Sequence, residues 1–283
     1  DMMGDLFVTG EFSGETNFGG VSINVTSRDV FVAKFDGNMG IILGSGLDYV
    51  VNKLTNKRIL PFKNITSFPI SKVDGHRGEF ISGYIGDKHV LVARGRLHYY
   101  EGINLESVSL PIKVFHQIGI KKVIITNSSG SLKLKNYPGS IMLIKGHFDS
   151  TFLSNSSLPK LKCGEKYYNQ EMINTAFSVA KKNDINLLEG NYCWMPGPAY
   201  ETPAEIRFLK NLGGDAVGMS TVPEIEYAKK LNMDVLVFSV LTNFAAGLDN
   251  RLLKHEDVLA SAKKAENDFG RLIIQTINHI GRK

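Results

Sequence analysis

The chain has 283 residues, which is enough for one large domain or for one domain with a small appendage. Hydrophobic residues make up 43% and charged residues 22%, as in an ordinary globular protein. The net charge of +5 comes from dispersed lysines and arginines, whereas a nucleic-acid-binding surface needs them clustered. We therefore expect no nucleic-acid partner, although a weak positive field suits an anionic substrate.

The two cysteines, Cys163 and Cys193, form no Cys-x-x-Cys pair, so neither a zinc site nor a redox motif is expected. A reducing, cytoplasmic location is the expectation for such cysteine usage. No apolar run approaches the roughly 20 residues that span a bilayer, and no signal-peptide pattern follows Asp1. We expect no membrane partner and no metal.

The first segment, residues 1–37, consists of short apolar runs such as LFVTG and VFVAKF between Gly, Ser and Thr. Short apolar runs that are separated by turn residues predict antiparallel strands. The residue pattern changes near Met39, so we predict a β-repeat-like appendage over residues 1–37 and a main domain over residues 38–283.

The main domain alternates between buried-strand and helical patterns. This alternation predicts an α/β domain of three layers with a largely parallel sheet, whose ligands bind at the carboxyl ends of the strands. Small-residue loops after VIIT and VLVFSVLT are therefore pocket candidates. The strand patterns lie in 39–47, 89–96, 121–132 and 234–247, each as an apolar strand followed by a turn or a small-residue loop. The predicted helices are 111–118, 168–182, 203–212 and 222–231, with one long helix or two over 255–280.

Three glycine-flanked segments carry hydroxyl, imidazole or guanidinium groups: Gly44-Ser45-Gly46, residues 75–78 with His76, and residues 95–98 with Arg96 and His98. Glycines let backbone N–H groups approach an oxyanion, and Arg suits phosphate. Each segment alone is equally a surface turn, and His98 is equally a packed core ring. Together they favour an anion site.

The segment 215–224 reads as a strand ending at Gly218 and a helix that begins near Pro223. Ser220 and Thr221 are candidates for the N-cap. The segment is either a well-formed helix start or a helix N-terminus that meets an anion.

The segment WMPGPAYETPAE places the ring of Tyr200 beside the carboxylate of Glu201 on a Gly- and Pro-punctuated loop. It is either a solvated turn or a pocket that stacks a flat ring and bonds its edge. Asn243 follows a buried strand, and its amide both donates and accepts hydrogen bonds.

Taken in order, these segments resemble the purine nucleoside phosphorylases of the trimeric type over about residues 39–280. Residues 197–224 are the most specific part of the match. The pieces that match the phosphorylases are GIILGSGL, GHRGEF, RGRLHYYEG, TNSSGSL, GPAYETPAEIRFLKNLGGDAVGMSTVPE, SVLTNFAAG and HEDVLA.

Residues 1–37 resemble one short β-propeller repeat of bacterial surface proteins, through DLFVTGEFSG, FGG and DVFVAKFDGNMG.

The resemblance implies a phosphorylase-like three-layer α/β/α fold with a mixed, largely parallel central sheet, preceded here by a short β-rich segment. It implies reversible phosphorolysis of 6-oxopurine nucleosides such as inosine and guanosine. Inorganic phosphate is then the co-substrate, no cofactor or metal is needed, and the assembly is a homotrimer.

The resemblance also implies a role for each matching site residue. The catalytic residues are Asn243, Glu201 and His98; the phosphate-binding residues are Ser45, His76, Arg96, Ser128 and Ser220; the ribose-binding residues are Tyr100, Met219 and His255; the base-binding residues are Tyr200, Glu201 and Asn243.

Asn243 favours 6-oxopurines, because the related methylthioadenosine phosphorylases carry Asp at the matching position. The alternatives are such a phosphorylase, a nucleosidase that uses water, a binding module suggested by residues 1–37, and an inactive phosphorylase. The sequence also departs from the family pattern in residues 128–131 and 146–149 and in the loop after residue 149. The aromatic residue that the family lends to a neighbouring subunit is therefore not identified.

Overall fold

The structure is a computed structural model, and the predicted domain boundary between residues 37 and 38 lies outside the residues that it describes. For residues 14–18, 21–25 and 255–264 it describes only the backbone. The described ranges are 14–18, 21–25, 39–44, 47–65, 68–71, 73, 77–153, 157–249 and 255–281.

The N-terminal segment contains a hairpin of two antiparallel strands, β1 (Gly14–Phe18) and β2 (Val21–Val25). Antiparallel strands were expected here from the punctuation of the sequence. The resemblance of the whole segment to a propeller repeat stays a prediction.

The rest of the chain builds one large sheet and the helices that cover it. The strands are β3 (Met39–Leu43), β4 (Thr55–Pro61), β5 (Glu79–Ile85), β6 (Lys88–Arg94), β7 (Lys122–Ser131), β8 (Ile141–Asp149), β9 (Lys162–Cys163), β10 (Leu187–Trp194), β11 (Ala216–Gly218) and β12 (Asp234–Phe244). The helices are α1 (Tyr49–Asn52), α2 (Leu105–Val108), α3 (Leu110–Gln117), α4 (Gln170–Lys182), α5 (Pro203–Asn211), α6 (Val222–Lys230) and α7 (His255–His279).

The strand order is β11-β10-β8-β12-β7-β3-β6-β5-β4, with β9 paired to β8. The pairs that join β6, β3, β7 and β12 are parallel, whereas β4, β5 and β9 pair antiparallel with their neighbours. Helices α4 and α7 pack together, as do α3 and α6, and both α6 and α7 lie against β12. The predicted α/β fold with a large mixed central sheet is confirmed.

One further pairing curls the sheet. β11 pairs antiparallel with β7, so that β7, β12, β8, β10 and β11 form a closed ring of strands. The closure places the end of β11 beside the second half of β7. This pairing joins residues nearly 90 positions apart, so no local sequence pattern could predict it.

The predicted helices agree with the observed ones to within two residues at their ends, because their apolar spacing follows the helical period. The two segments that were predicted to be pocket loops are instead part of the sheet. β7 extends to Ser131 and β12 to Phe244, since the parallel pairing of these strands continues through Val240 with Ser128 and Asn243 with Gly130. The small residues that look like a loop in the sequence therefore lie in the sheet.

The core is formed by aliphatic side chains on both faces of the central strands, including Ile41, Val92, Ile124 and Val237. A parallel sheet covered on both faces needs such continuous apolar runs. In the described part of the chain, no helix has the length and apolar character to span a membrane.

Candidate active site

A cavity of about 130 Å³ lies beside the last residues of β7 and β12 and the end of β11, which runs antiparallel to β7. It is open to solvent at one side, as a substrate pocket must be. It brings together seven of the residues singled out in the sequence, from five separate segments. They are His98, Ser128, Tyr200, Glu201, Met219, Ser220 and Asn243; Ser129, Gly130, Val217, Gly218 and Thr242 complete the lining.

Asn243 is aimed by an irregularity in β12. The register shifts between Leu241 and Asn243, so Thr242 is an extra residue, as in a β-bulge. The Thr242 hydroxyl donates to Oδ1 of Asn243 at 2.9 Å, and Nδ2 of Asn243 donates to the carbonyl of Phe244 at 2.9 Å. These two bonds set which end of the amide is the donor and hold it at the cavity wall.

Gly130 makes room for this amide. A Cβ on Gly130 would lie 3.1 Å from Nδ2 of Asn243, which is tighter than ordinary contact. A larger residue here would press on the amide. Sequence reasoning did not single out Gly130 or Thr242 as pocket residues, because their role depends on the β7–β12 register.

Tyr200 and Glu201 lie on the predicted loop, directly before α5. Thr202 caps α5, since its hydroxyl accepts from the N–H of Glu205, and the Glu205 carboxylate accepts from the N–H of Thr202 at 2.7 Å. This capping box fixes the end of the loop. Glu201 is only 7% exposed, whereas Tyr200 is 43% exposed and has a ring surface left to cover.

Burial raises the pKa of Glu201 above its usual range, and the nearby Glu205 carboxylate adds to this effect, while a hydrogen bond from its own backbone opposes it. A partly desolvated carboxylate is a strong hydrogen-bond acceptor, because little water competes for it. The cavity therefore offers an acceptor at Glu201 and an amide at Asn243.

Met219 and Ser220 lie between the end of β11 and the start of α6. Ser220 is buried, and its N–H donates to the Tyr192 hydroxyl at 3.4 Å. Thr221 occupies the N-cap position, but its side chain makes no capping bond, and its backbone has φ +79°. The prediction that Ser220 or Thr221 provides the N-cap is therefore confirmed for Thr221 by position, without a side-chain bond to the helix. The Thr221 hydroxyl instead accepts from Nδ2 of Asn127 at 2.8 Å.

Arg96 lies in the interior behind the cavity and is not among the residues that line it. Its Nε donates to Oε1 of Glu224 at 2.7 Å, and its Nη1 donates to the carbonyl of Thr126 at 2.8 Å. The side chains of Arg96 and Glu224 are 2% and 1% exposed. The sequence indicated Arg96, but not that a buried acid on α6 anchors it.

His98 is a neutral ring. Burial, and then the charge of Arg96, lower the pKa of His98 to about 3. Its Nδ1 lies 3.1 Å from Oε1 of Glu101. Because a carboxylate only accepts, Nδ1 carries the ring proton and Nε2 keeps a lone pair. The ring stacks on Tyr100 at 4.7 Å between centroids, so Tyr100 lies next to the cavity without lining it.

Three predicted site residues have no described side chain. Ser45 and His76 lie outside the described residues, and His255 begins α7, where only the backbone is described. Gly44, directly before Ser45, donates its N–H to the Thr126 hydroxyl at 3.0 Å. Among the residues that the structure describes, no group of three or more His, Cys, Asp or Glu side chains could hold a metal ion.

A mixed α/β sheet with a cavity lined by polar and apolar groups near its strand ends is the arrangement in which α/β proteins bind small molecules. Residues 38–278 match the family model described as "Phosphorylase superfamily". Purine nucleoside phosphorylase 1 of Geobacillus stearothermophilus is 35% identical over 251 residues, which cover 86% of this chain and 92% of that protein.

Two solved structures of purine nucleoside phosphorylases from Schistosoma mansoni superpose with a TM-score of 0.78, and each alignment covers 87% of this chain and 92% of the other. One is in complex with inosine, at 30% identity. The other is isoform 2 in complex with cytosine and ribose-1-phosphate, at 32% identity. The chain belongs to the phosphorylase superfamily and, within it, to the purine nucleoside phosphorylases.

The neutral state of His98 gives a first prediction. Because its pKa is lowered to about 3, the ring stays uncharged between pH 8 and pH 5. In an NMR titration the His98 Cε1–H shift should not move over this range, with the resonance assigned from its loss in His98→Gln. A titration midpoint near the usual value of about 6.5 would contradict the buried, neutral ring.

Proposed function

We propose that this protein catalyses the reversible phosphorolysis of 6-oxopurine nucleosides, releasing the purine base and α-ribose 1-phosphate. The observation that carries the proposal is the cavity in which Glu201, Asn243 and the half-exposed ring of Tyr200 converge. A purine offers a flat face and a polar edge, and these three groups complement both.

The base edge determines the preferred substrate. A 6-oxopurine presents N1–H as a donor and O6 and N7 as acceptors. Glu201 accepts from N1–H, and Asn243 donates from Nδ2 to the N7 and O6 edge. Adenine has an unprotonated N1, which would leave the Glu201 carboxylate facing another acceptor in a buried site.

The phosphate side lies around Ser220, Ser128 and Arg96 in this proposal, together with Ser45 and His76. Ser220 supplies a hydroxyl and a helix N-terminal region, and Arg96 supplies a fixed positive charge. Phosphate is itself the nucleophile, so the protein needs no nucleophilic side chain. A site of this kind acts by positioning and by electrostatic complementarity to the transition state.

Charge moves in two directions as the glycosidic bond breaks. The ribose becomes positive, and the leaving purine gains electron density. The bound phosphate dianion stabilises the former, and the Asn243 amide stabilises the latter by donating to N7. The neutral His98 keeps a lone pair at Nε2, which suits it to accept from a ribose hydroxyl beside Tyr100.

The proposal is tested by measuring base release from inosine with and without phosphate, with adenosine measured in parallel. We expect release from inosine only when phosphate is present, and weak release from adenosine. Equal release without phosphate would indicate hydrolysis, and a preference for adenosine would indicate a 6-aminopurine enzyme. No release from a folded protein would indicate an inactive family member.

The role of Asn243 is tested by Asn243→Asp. The carboxylate accepts where the amide donated, so it repels N7 and O6 and accepts from the 6-amino group of adenine. We expect the ratio of kcat/KM for inosine to that for adenosine to fall roughly 100-fold, which corresponds to the free energy of about two hydrogen bonds. The matched control is Asn174→Asp, on the exposed face of α4. An unchanged ratio in Asn243→Asp would remove Asn243 from base recognition.

We also propose that the chain forms a homotrimer. Supporting it, the segment between β8 and β9 exposes several large apolar side chains, which is typical of an association surface. They are Phe152, Leu153, Leu158 and Leu161. Light scattering should give the mass of three chains, and Leu158→Glu should lower it. A monomer mass at micromolar concentration would overturn this proposal.

A further inference from the structure

The backbone at Thr221 is strained. Thr221 has φ +79° and ψ −46°, and the N–H of Val222 donates to the carbonyl of Ser220 at 2.9 Å. These values describe a three-residue γ-turn of the rare form with positive φ at its centre. For a β-branched residue such a backbone is a genuine outlier, which persists only when its surroundings hold it in place.

The turn at Thr221 connects two residues that line the cavity with the first turn of α6. Met219 and Ser220, just before it, line the cavity. Glu224, three residues after it, holds Arg96. The sharp turn lets one short segment present a hydroxyl to the cavity and still begin α6 early enough for Glu224 to reach Arg96. A regular helix start would change one of these two placements.

Asn127 on β7 contacts the turn directly. Its Nδ2 donates to the Thr221 hydroxyl at 2.8 Å, and Asn127 and Thr221 are 1% and 0% exposed. The other end of the amide, Oδ1, is buried and accepts no hydrogen bond from the described residues. An apolar side chain would avoid the cost of that buried acceptor, so packing alone does not explain an Asn here.

The hydrogen bonds form a chain with a direction. Because Nδ2 of Asn127 can only donate, the Thr221 oxygen accepts and its own hydrogen is available to Ser220, whose Oγ lies 3.1 Å away. In the direction that runs on from Asn127, Ser220 accepts from Thr221 and its own hydrogen is left to point into the cavity; the contact itself allows either hydroxyl to donate. An anion bound there needs donors and not acceptors.

We propose that Asn127 and Thr221 are positioning residues that hold the Ser220 hydroxyl with its hydrogen directed at the bound phosphate. This inference rests on the proposed function and extends it to residues that do not line the cavity. Asn127 acts through Thr221, and Thr221 acts through Ser220. Their effect should therefore fall on phosphate and leave the nucleoside almost unaffected.

The test compares Asn127→Leu and Thr221→Val with the wild-type enzyme in phosphorolysis of inosine. Each variant roughly keeps the size of the side chain and removes one hydrogen bond of the chain that ends at Ser220. We expect KM for phosphate to rise about tenfold in each, the value of one hydrogen bond. KM for inosine should change less than about twofold, because Glu201 and Asn243 are untouched.

Several controls separate positioning from stability. Thr276→Val removes a buried hydroxyl of α7 that has no hydrogen-bond partner among the described residues, and it should leave both KM values unchanged. Thr221→Ser keeps the hydroxyl and should keep the phosphate KM of the wild type. The melting temperature of Asn127→Leu should not fall, since the change also removes the buried acceptor.

The double variant distinguishes a chain of bonds from two separate effects. Because both residues act through the Ser220 hydroxyl, the double variant Asn127→Leu with Thr221→Val should raise KM for phosphate no more than the more damaging single variant does. Additive losses, an equal rise in both KM values, or a lower melting temperature with an unchanged phosphate KM would overturn the inference. Absence of phosphorolysis in the wild type would instead overturn the proposed function.

Discussion

The ion pair between Arg96 and Glu224 is the constraint around which the site is built. Both side chains are almost completely buried, and the residues lie 128 positions apart in the chain. Neither charge could stay in the interior alone, and breaking such a pair by removing one partner costs about 3–5 kcal/mol. The pair therefore fixes the end of β6 against the start of α6.

Several features of the site depend on this anchor. The charge of Arg96 helps to keep His98 neutral, and its bond to the Thr126 carbonyl connects it to β7. Glu224 lies in the first turn of α6, and the strained turn at Thr221 joins the end of β11 to that helix close to the buried pair.

Burial shifts the pKa values of His98 and Glu201, two of the ionisable groups of the cavity, in opposite directions. It lowers the pKa of His98 and raises that of Glu201, because each group loses water that would stabilise its charged form. The cavity thus holds a neutral imidazole beside a poorly solvated carboxylate.

Local patterns in the sequence were sufficient for the five longer helices, for the α/β class and for the loop that carries Tyr200 and Glu201, but not for the single-turn helices α1 and α2. These features depend on side-chain period and on turn residues, which neighbours in the chain determine. Arg96 and Asn243 could also be singled out, because polar groups at strand ends stand out against apolar runs. Their proposed roles came from the resemblance to a family and not from the pattern.

The tertiary structure alone decided where those groups point. The residues 128–131 look like a loop, yet pairing with β12 and β11 makes them strand, and the bulge at Thr242 aims the Asn243 amide. Thr221 takes the N-cap position that the sequence indicates, but its hydroxyl bonds to a partner almost a hundred residues away and not to the helix. Sequence determines what each segment prefers by itself, whereas register, ring closure and buried charge pairing arise only when distant segments compete for the same space.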